Sequence, residues 1–375
     1  MPQPAPPTAG PAIPSPARST TLLAQDDLGV AGRRRRTTAW LLGLGAGLLA
    51  TLVLAVGIGA VTVPAGTTLR VVGHHALGLG ERTWSLSRDA IIWDVRLPRV
   101  VLGAAVGAGL AVCGVALQAM VRNVLADPYL LGVSSGASSG AAAAILFGVG
   151  AGLGQHALPV SAFAGALAAS LLVLVVARSG GRVTSIRLLL AGVAVGYALY
   201  ALTSFLIFAA DSAEGSRSVL FWLLGSLGLA SWTAPLAVVC VVALGTVLVL
   251  THAGRRLDVL AIGDETAQTL GLTPDRLRVR LLVLVSLCIG VVVSAAGSIG
   301  FVGLVVPHLA RRAVGSSHRA VVPVAALMGA ILLVWADVVA RTLLQPQEIP
   351  IGILTSLVGA PFLLVLIRRM HVSST

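Results

Sequence analysis

Residues 96–149 read "RLPRVVLGAAVGAGLAVCGVALQAMVRNVLADPYLLGVSSGASSGAAAAILFGV". Two apolar runs, 98–119 and 129–149, flank a polar break at Arg122, Asn123, Asp127 and Pro128. Each run is about 20 residues, the length a helix needs to cross a bilayer core of roughly 30 Å. Pro128 cannot continue a helix and disfavours the helical region for Asp127, so the break reads as a turn. The second run opens on glycines and serines, and small side chains let membrane helices pack backbone to backbone. The stretch predicts a helical hairpin inside a membrane.

Outward from this hairpin the pattern repeats. The chain has 375 residues, 57% hydrophobic and 11% charged, where a soluble chain carries about 25% charged residues. Further apolar runs lie at 39–63, 159–177, 187–209, 233–251, 280–299, 303–314, 320–342 and 350–367. With the first two they make about ten transmembrane helices, the eighth being short enough for only a partial crossing. The expectation is an all-α polytopic membrane protein. Its ten-helix domain spans 39–370, between a disordered cytoplasmic tail over 1–38 and a short cytoplasmic tail over 371–375. The stretch "MPQPAPPTAGPAIPSPARST" suits a disordered tail and lacks the order of a signal peptide.

Charge sets the orientation. All 26 basic residues are arginine; with the N-terminus inside, 19 fall on inner segments and 7 on outer ones. That bias predicts N-in and C-in, which requires an even number of spans. The run Arg33–Arg36 reads as a positive-inside anchor rather than a nucleic-acid contact, since no basic domain accompanies it. A chain without lysine cannot carry a standard Walker A loop or form a lysine Schiff base. Cys113, Cys240 and Cys288 sit inside apolar runs without CxxC spacing or a nearby histidine. They read as small buried hydrophobes, and no metal site or cofactor is expected.

Some segments carry more than packing. The inner loop 252–280, "HAGRRLDVLAIGDETAQTLGLTPDRLRVR", recurs in apolar residues at helical spacing and is broken by Gly263 and Gly271. Asp264 and Glu265 suit a helix N-terminus, so the loop reads as two short amphipathic helices around a glycine elbow. Rest on lipid headgroups is one reading. Asp258, Asp264 and Glu265 make 258–271 acidic, which favours a protein partner over anionic lipid. On the outside, Arg96, Arg99 and Arg341 run against the charge rule, either as snorkelling anchors or as sockets for partner carboxylates. Asp337 lies four residues before Arg341, a spacing that permits an intrahelical pair. His308 follows Pro307 and reads as structural.

These residues in this order resemble the FecCD-type permeases, membrane subunits of ATP-driven importers of iron-siderophores, haem and vitamin B12. The matching motifs are 96–137, "RLLLAGVAVG", "LAIGDETAQTLGL", "GSIGFVGLVVPHLARR", "ADVVAR" and "EIPIGILTSLVGAPFLLVLIRR". The resemblance implies a type II ABC importer permease fold in the cell membrane, and a transport subunit rather than an enzyme. It also implies a second permease subunit, cytosolic ABC ATPase subunits and an extracytoplasmic substrate-binding protein. By resemblance, Asp258, Gly263, Asp264, Glu265 and Gly271 fall on the ATPase-coupling helices. Arg96, Arg99 and Arg341 fall on positions that meet the binding protein. Asn123 and Leu125 fall on the inner gate, with Thr184 and Ser185 as its other half. Val124 stands where the family commonly has proline. Segment 212–232 matches a short outer helix, with an outer gate or an aromatic belt as its readings. Ferric siderophore is the first expected cargo, with haem or cobalamin as the alternative. A proton- or sodium-driven transporter is the distant alternative. It predicts paired acids or broken helices at mid-membrane depth, and the sequence offers none beyond Asp337.

Overall fold

The computed structural model describes residues 30–59, 61–178 and 183–372. The ten expected runs are all helices: α1 (Val30–Gly57), α4 (Leu97–Val121), α5 (Val133–Phe147), α6 (Ala157–Ala177), α7 (Ser185–Phe208), α9 (Ala234–His252), α12 (Pro274–Ala296), α13 (Val302–Val314), α14 (His318–Thr342) and α15 (Ile351–Val372). Among the described residues, five shorter α-helices lie between them. α2 (Ala65–Leu77), α3 (Leu86–Ala90) and α8 (Ala213–Leu223) fall on the side that the arginine bias makes outer; α10 (Gly254–Ile262) and α11 (Asp264–Thr269) fall on the inner side. Among the described residues, eight helices are long and apolar enough to cross a membrane.

Two boundaries differ from expectation. α1 begins at Val30, inside the stretch expected to be a disordered tail, because Arg33–Arg36 are good helix formers that continue the span's first turns. Residues 1–29 and 373–375 lie outside the described residues. α2 and α3 were not expected, since the outer segment 64–97 holds no apolar run of span length. α2 is instead a surface helix that buries only Thr67, Thr68 and Val71.

α4 is the axle of the bundle. Its apolar window is 78% buried, against 17% for α1, and it packs on α14, α9, α12 and α13. Glycines make the crossings close. A Cβ on Gly107 would strike the Gly329 carbonyl on α14, and one on Gly114 would strike the Gly303 carbonyl on α13. The glycines of α5 do the same work, with Gly136 against Gly165 and Gly140 against Ser161 on α6. With lipid as apolar as leucine, such close backbone packing drives association.

Two spans are broken: the eighth, whose shortness already allowed a partial crossing, and the third, which the sequence reading missed. α5 has 15 residues and α13 has 13, about 22 and 20 Å at 1.5 Å per residue, too short to cross alone. Both start inside the membrane. Gly303, at the start of α13, packs on Gly114 and the Leu110 carbonyl of α4 and on Pro128. Gly114 lies seven residues from α4's inner end, or about 10 Å in depth. The chain therefore descends through α4, climbs back through 122–132, and starts α5 at depth. It ascends through α12, breaks at 297–301, and starts α13 there. The two breaks touch: Ser134 and Ser298 share a hydrogen bond of 2.8 Å, and the Ile299 N–H donates to the Tyr129 hydroxyl.

Irregular backbone at this depth has no water to bond and must be satisfied by protein. Gln118 Nε2 donates to the carbonyls of Ala126 and Gly303, and its Oε1 accepts from Arg311 Nη1 at 2.7 Å. The Asp127 carboxylate accepts from the backbone N–H of Tyr129 at 2.9 Å and from that of Phe301. Phe301 is left-handed at φ 67°, which costs a residue with a Cβ about 1–2 kcal/mol.

Gly107→Val should lower the melting temperature sharply or prevent folding, since overpacking a core costs about 1–3 kcal/mol or more. Gly245→Ala on α9, where a Cβ meets nothing within 4 Å, should be neutral or stabilising. Thermal denaturation of both variants in detergent checks the contrast.

Candidate functional site

The inner end of α12 carries the most constrained side chain described. Pro274 starts the helix, and Arg278, Leu281, Leu282, Val285 and Ile289 form one buried stripe. Arg278 is 0% exposed, and a buried cation is tolerated only when paired and fully hydrogen-bonded. Asp264, the first residue of α11, supplies a two-point pair: Nη1 to Oδ2 at 2.9 Å and Nη2 to Oδ1 at 2.5 Å. The remaining donors reach Ser185 Oγ at 3.0 Å and the carbonyls of Val183 and Met120 at 3.3 Å each. Ser185 Oγ in turn donates to the Met120 carbonyl at 3.0 Å. One guanidinium thus joins α11, the C-terminal turn of α4 and the start of α7.

The α10–α11 unit has the elbow the sequence implied. Gly263 adopts φ 152°, ψ 162° and Gly271 φ 78°, conformations that favour glycine. Asp264 is half-buried and Glu265 exposed. Asp258 fastens α10 to the start of α14, its Oδ1 accepting from the His318 backbone N–H at 2.8 Å and meeting Nδ1 at 2.6 Å. Burial works to raise the Asp258 carboxyl, and the His318 hydrogen bonds outweigh it and hold it below the usual carboxylate range.

The two expected gate turns flank this junction. Arg122 ends α4 in a left-handed conformation, φ 52°. Asn123 Oδ1 then accepts from the Leu125 N–H at 2.9 Å, a local turn that frees the chain to climb. Asn123 is exposed and Leu125 half-buried. On the other turn, Ser185 is held by Arg278, while the buried Thr184 Oγ1 has no hydrogen-bond partner among the described residues. The structure brings Asp264 and Ser185 together through Arg278, with the 123–125 turn three residues beyond Met120. Glu265 and Gly271 stay outside that cluster. Arg278 carried a signal that was missed, since it interrupts an otherwise apolar i, i+4, i+7 stripe.

The outer arginines are differently placed from open sockets. All three are buried, and most of their donors are engaged among the described residues, Arg341 Nε making no hydrogen bond there. Arg96 donates to the carbonyls of Val56, Gly57 and Val61, and Arg341 to that of Ala55. They gather the carbonyl end of α1, where a cation is favoured. Arg99 binds Asp337 through Nε at 2.9 Å and Nη2 at 2.8 Å, and reaches Glu348 at 3.0 Å. The expected Asp337–Arg341 pair exists at 3.5 Å and is the weaker partner of Asp337. Only Glu348, half exposed, brings this network to the surface. His308 packs edge-on to Phe362. On α8, Phe221 is exposed and Trp222 half-buried against the core.

Comparison with known proteins supplies the context. Residues 47–369 match the model of the FecCD transport family. The chain is 45% identical over 284 residues to the cobalamin import permease of Halobacterium salinarum, covering 76% of this chain and 75% of that one. It is 42% identical to the hemin transport permease of Yersinia pestis, over 79% of this chain and 90% of the other. It is 39% identical to the Fe(3+)-citrate import permease of Bacillus subtilis, over 76% and 84%. Among solved structures, a metal-chelate type ABC transporter in an inward-facing conformation superposes with a TM-score of 0.76 at 33% identity, over 88% of this chain and 98% of that one.

Asp264→Ala strands the buried Arg278 charge and should cost about 3–5 kcal/mol. Adding Arg278→Met, which removes the stranded charge, should recover most of the loss. Denaturation midpoints of the two single variants and the double variant test the pair.

Proposed function

Because the chain belongs to the FecCD transport family and is the permease subunit of an ABC importer, we propose that it carries a ferric siderophore across the cell membrane. It is a multi-pass membrane subunit that works with a second permease, and ATP is hydrolysed on separate subunits. The observation that carries the coupled mechanism is the Arg278 junction, which bonds the coupling helix α11 to the ends of both gate turns.

In this mechanism the ATPase receives the exposed face of α10–α11, with Glu265 as its forward contact and Gly263 and Gly271 setting the angle. Asp258 holds the rear of the unit to α14, so a push on α11 is resisted at one end and delivered at the other. It arrives through Asp264 and Arg278 at Met120 and Ser185. Asn123 and Leu125 on one turn, Thr184 and Ser185 on the other, close the inner end of the path. Only an energy source that binds the two states differently can switch them, and closure of the ATPase pair is such a source.

An outer binding protein delivers the cargo. Arg96, Arg99 and Arg341 form its docking region, with the internal bonds of Arg96 and Arg341 fixing the surface on which it sits. Arg99 is the member that can exchange, since Glu348 is held at the surface and a partner carboxylate can take its place. The ferric siderophore is favoured by the relative named for Fe(3+)-citrate import. Haem and cobalamin are the second reading, favoured by the relatives named for those cargoes.

The test is uptake of a radiolabelled ferric siderophore in an iron-starved strain lacking the gene, with the gene restored. Restored ATP-dependent uptake is the expected result; uptake of haem or cobalamin alone moves the cargo to the second reading. Glu265→Arg should assemble in the membrane at normal level and lose uptake at least tenfold, and normal uptake would end its coupling role. Asn123→Ala with Leu125→Ala should raise ATP-independent leak from loaded liposomes, and unchanged leak would count against the gate.

A further inference from the structure

A groove of about 660 Å³ runs between α1, α13 and α14, away from the junction and from both gate turns. Its inner mouth holds Arg36 and Arg312, and its lining includes no carboxylate. Arg36 Nη2 donates to the Arg312 backbone carbonyl at 3.2 Å, which draws two guanidinium-bearing residues to one spot. Above the mouth the walls are apolar. Leu309 is exposed on α13, and Trp40 lies one turn above Arg36 on α1, at the depth where indole rings mark the membrane interface.

The groove has the length of one leaflet. Ile331 faces α1 at Gly47, where an added Cβ would lie 3.8 Å from its Cδ1, and Trp335 at the far end donates to Thr51 Oγ1 at 3.1 Å. From Arg36 to Thr51 the helix rises about 22 Å at 1.5 Å per residue. Half of a hydrocarbon core is about 15 Å, with headgroups beyond it. α1 is the least buried of the candidate spans, so the groove opens sideways to lipid.

We propose that this groove is a binding site for an anionic phospholipid of the inner leaflet, its phosphate between Arg36 and Arg312 and an acyl chain along Leu309 and Ile331. A basic pocket between helices at the cytoplasmic side is the arrangement that selects acidic headgroups. The guanidinium forks match phosphate oxygens. The apolar, membrane-depth walls distinguish a lipid from a soluble anion or an acidic protein segment. The bound lipid would tie the otherwise loosely held α1 to α13, the half-helix that Arg311 joins to Gln118.

Native mass spectrometry of the full purified chain tests the site, with dioleoyl phosphatidylglycerol and dioleoyl phosphatidylcholine as matched probes. Wild type should retain the anionic lipid at least tenfold more tightly. Arg36→Gln with Arg312→Gln should abolish that preference. Arg34→Gln with Arg35→Gln removes the same charge outside the groove and should keep it. Leu309→Trp fills the groove with the arginines intact and should reduce retention of the anionic lipid at least tenfold. The proposal is overturned if the groove arginines can be neutralised without effect, if the Arg34/Arg35 variant loses as much, or if Leu309→Trp binds normally. Full displacement by glycerol phosphate at equal concentration would also overturn it, because the acyl chain would then contribute nothing. Should the double arginine variant not fold, Leu309→Trp and the competition decide the matter.

Discussion

A guanidinium with no exposed surface cannot be left unpaired, and Arg278 makes that cost the organising constraint of the inner face. Its donors are spent on one carboxylate, one hydroxyl and two carbonyls. These come from three segments remote in sequence: α11, the end of α4 and the start of α7. A displacement of α11 that broke the Asp264 pair would leave the charge stranded, so the low-energy displacement carries Arg278 and its other partners along. The pairing that serves stability is the one through which we propose that movement is transmitted.

A second constraint acts at mid-depth, where α5 and α13 begin. Their first turns expose backbone donors to a region without water, and the chain answers with its own polar side chains. Asp127 caps Tyr129 and Phe301, and Gln118 satisfies carbonyls on both breaks while holding Arg311. The chain enters one break from an inward-running helix and the other from an outward-running one. This is the pattern of an inverted pair of half-helices. In an ion-driven carrier such breaks hold the coupling ion. Here each is filled by its neighbour's side chains, with Ser134 against Ser298 and Tyr129 against Ile299, and the family places the energy source on a separate ATPase.

The helices, their order and the α10–α11 elbow were legible because apolar run length and glycine placement are local signals. The Asp337–Arg341 pair was legible for the same reason, being four residues apart on one helix. What failed was non-local. Nothing in "GSIGFVGLVVPHLARR" states that its helix starts at depth; that follows from Gly303 lying on Gly114, 189 positions away in the chain. For the outer arginines the sequence left anchor and socket both open, because the carbonyls of residues 55–57 that engage Arg96 and Arg341 carry no sequence identity. Arg278 sat in plain view on an apolar stripe, but its partners come from loops whose proximity only the fold supplies.

α4 unites these features, and its mechanics follow from where it is held. At its outer end Arg99 binds Asp337 on α14, and Arg96, just before it, gathers the end of α1. At its inner end the Met120 carbonyl is bound by Arg278 and Ser185. Between the two, Gly107 and Gly114 press backbone on backbone against α14 and α13. Close-packed glycine crossings resist bending and separation more than they resist a small rotation about the contact, since no side chains interdigitate there. A helix gripped at both ends and pivoted in the middle transmits a displacement as a tilt, with opposite sense at its two ends. This is the motion we propose for alternating access, since it lets the inner turns part without any spanning helix having to unfold in the membrane.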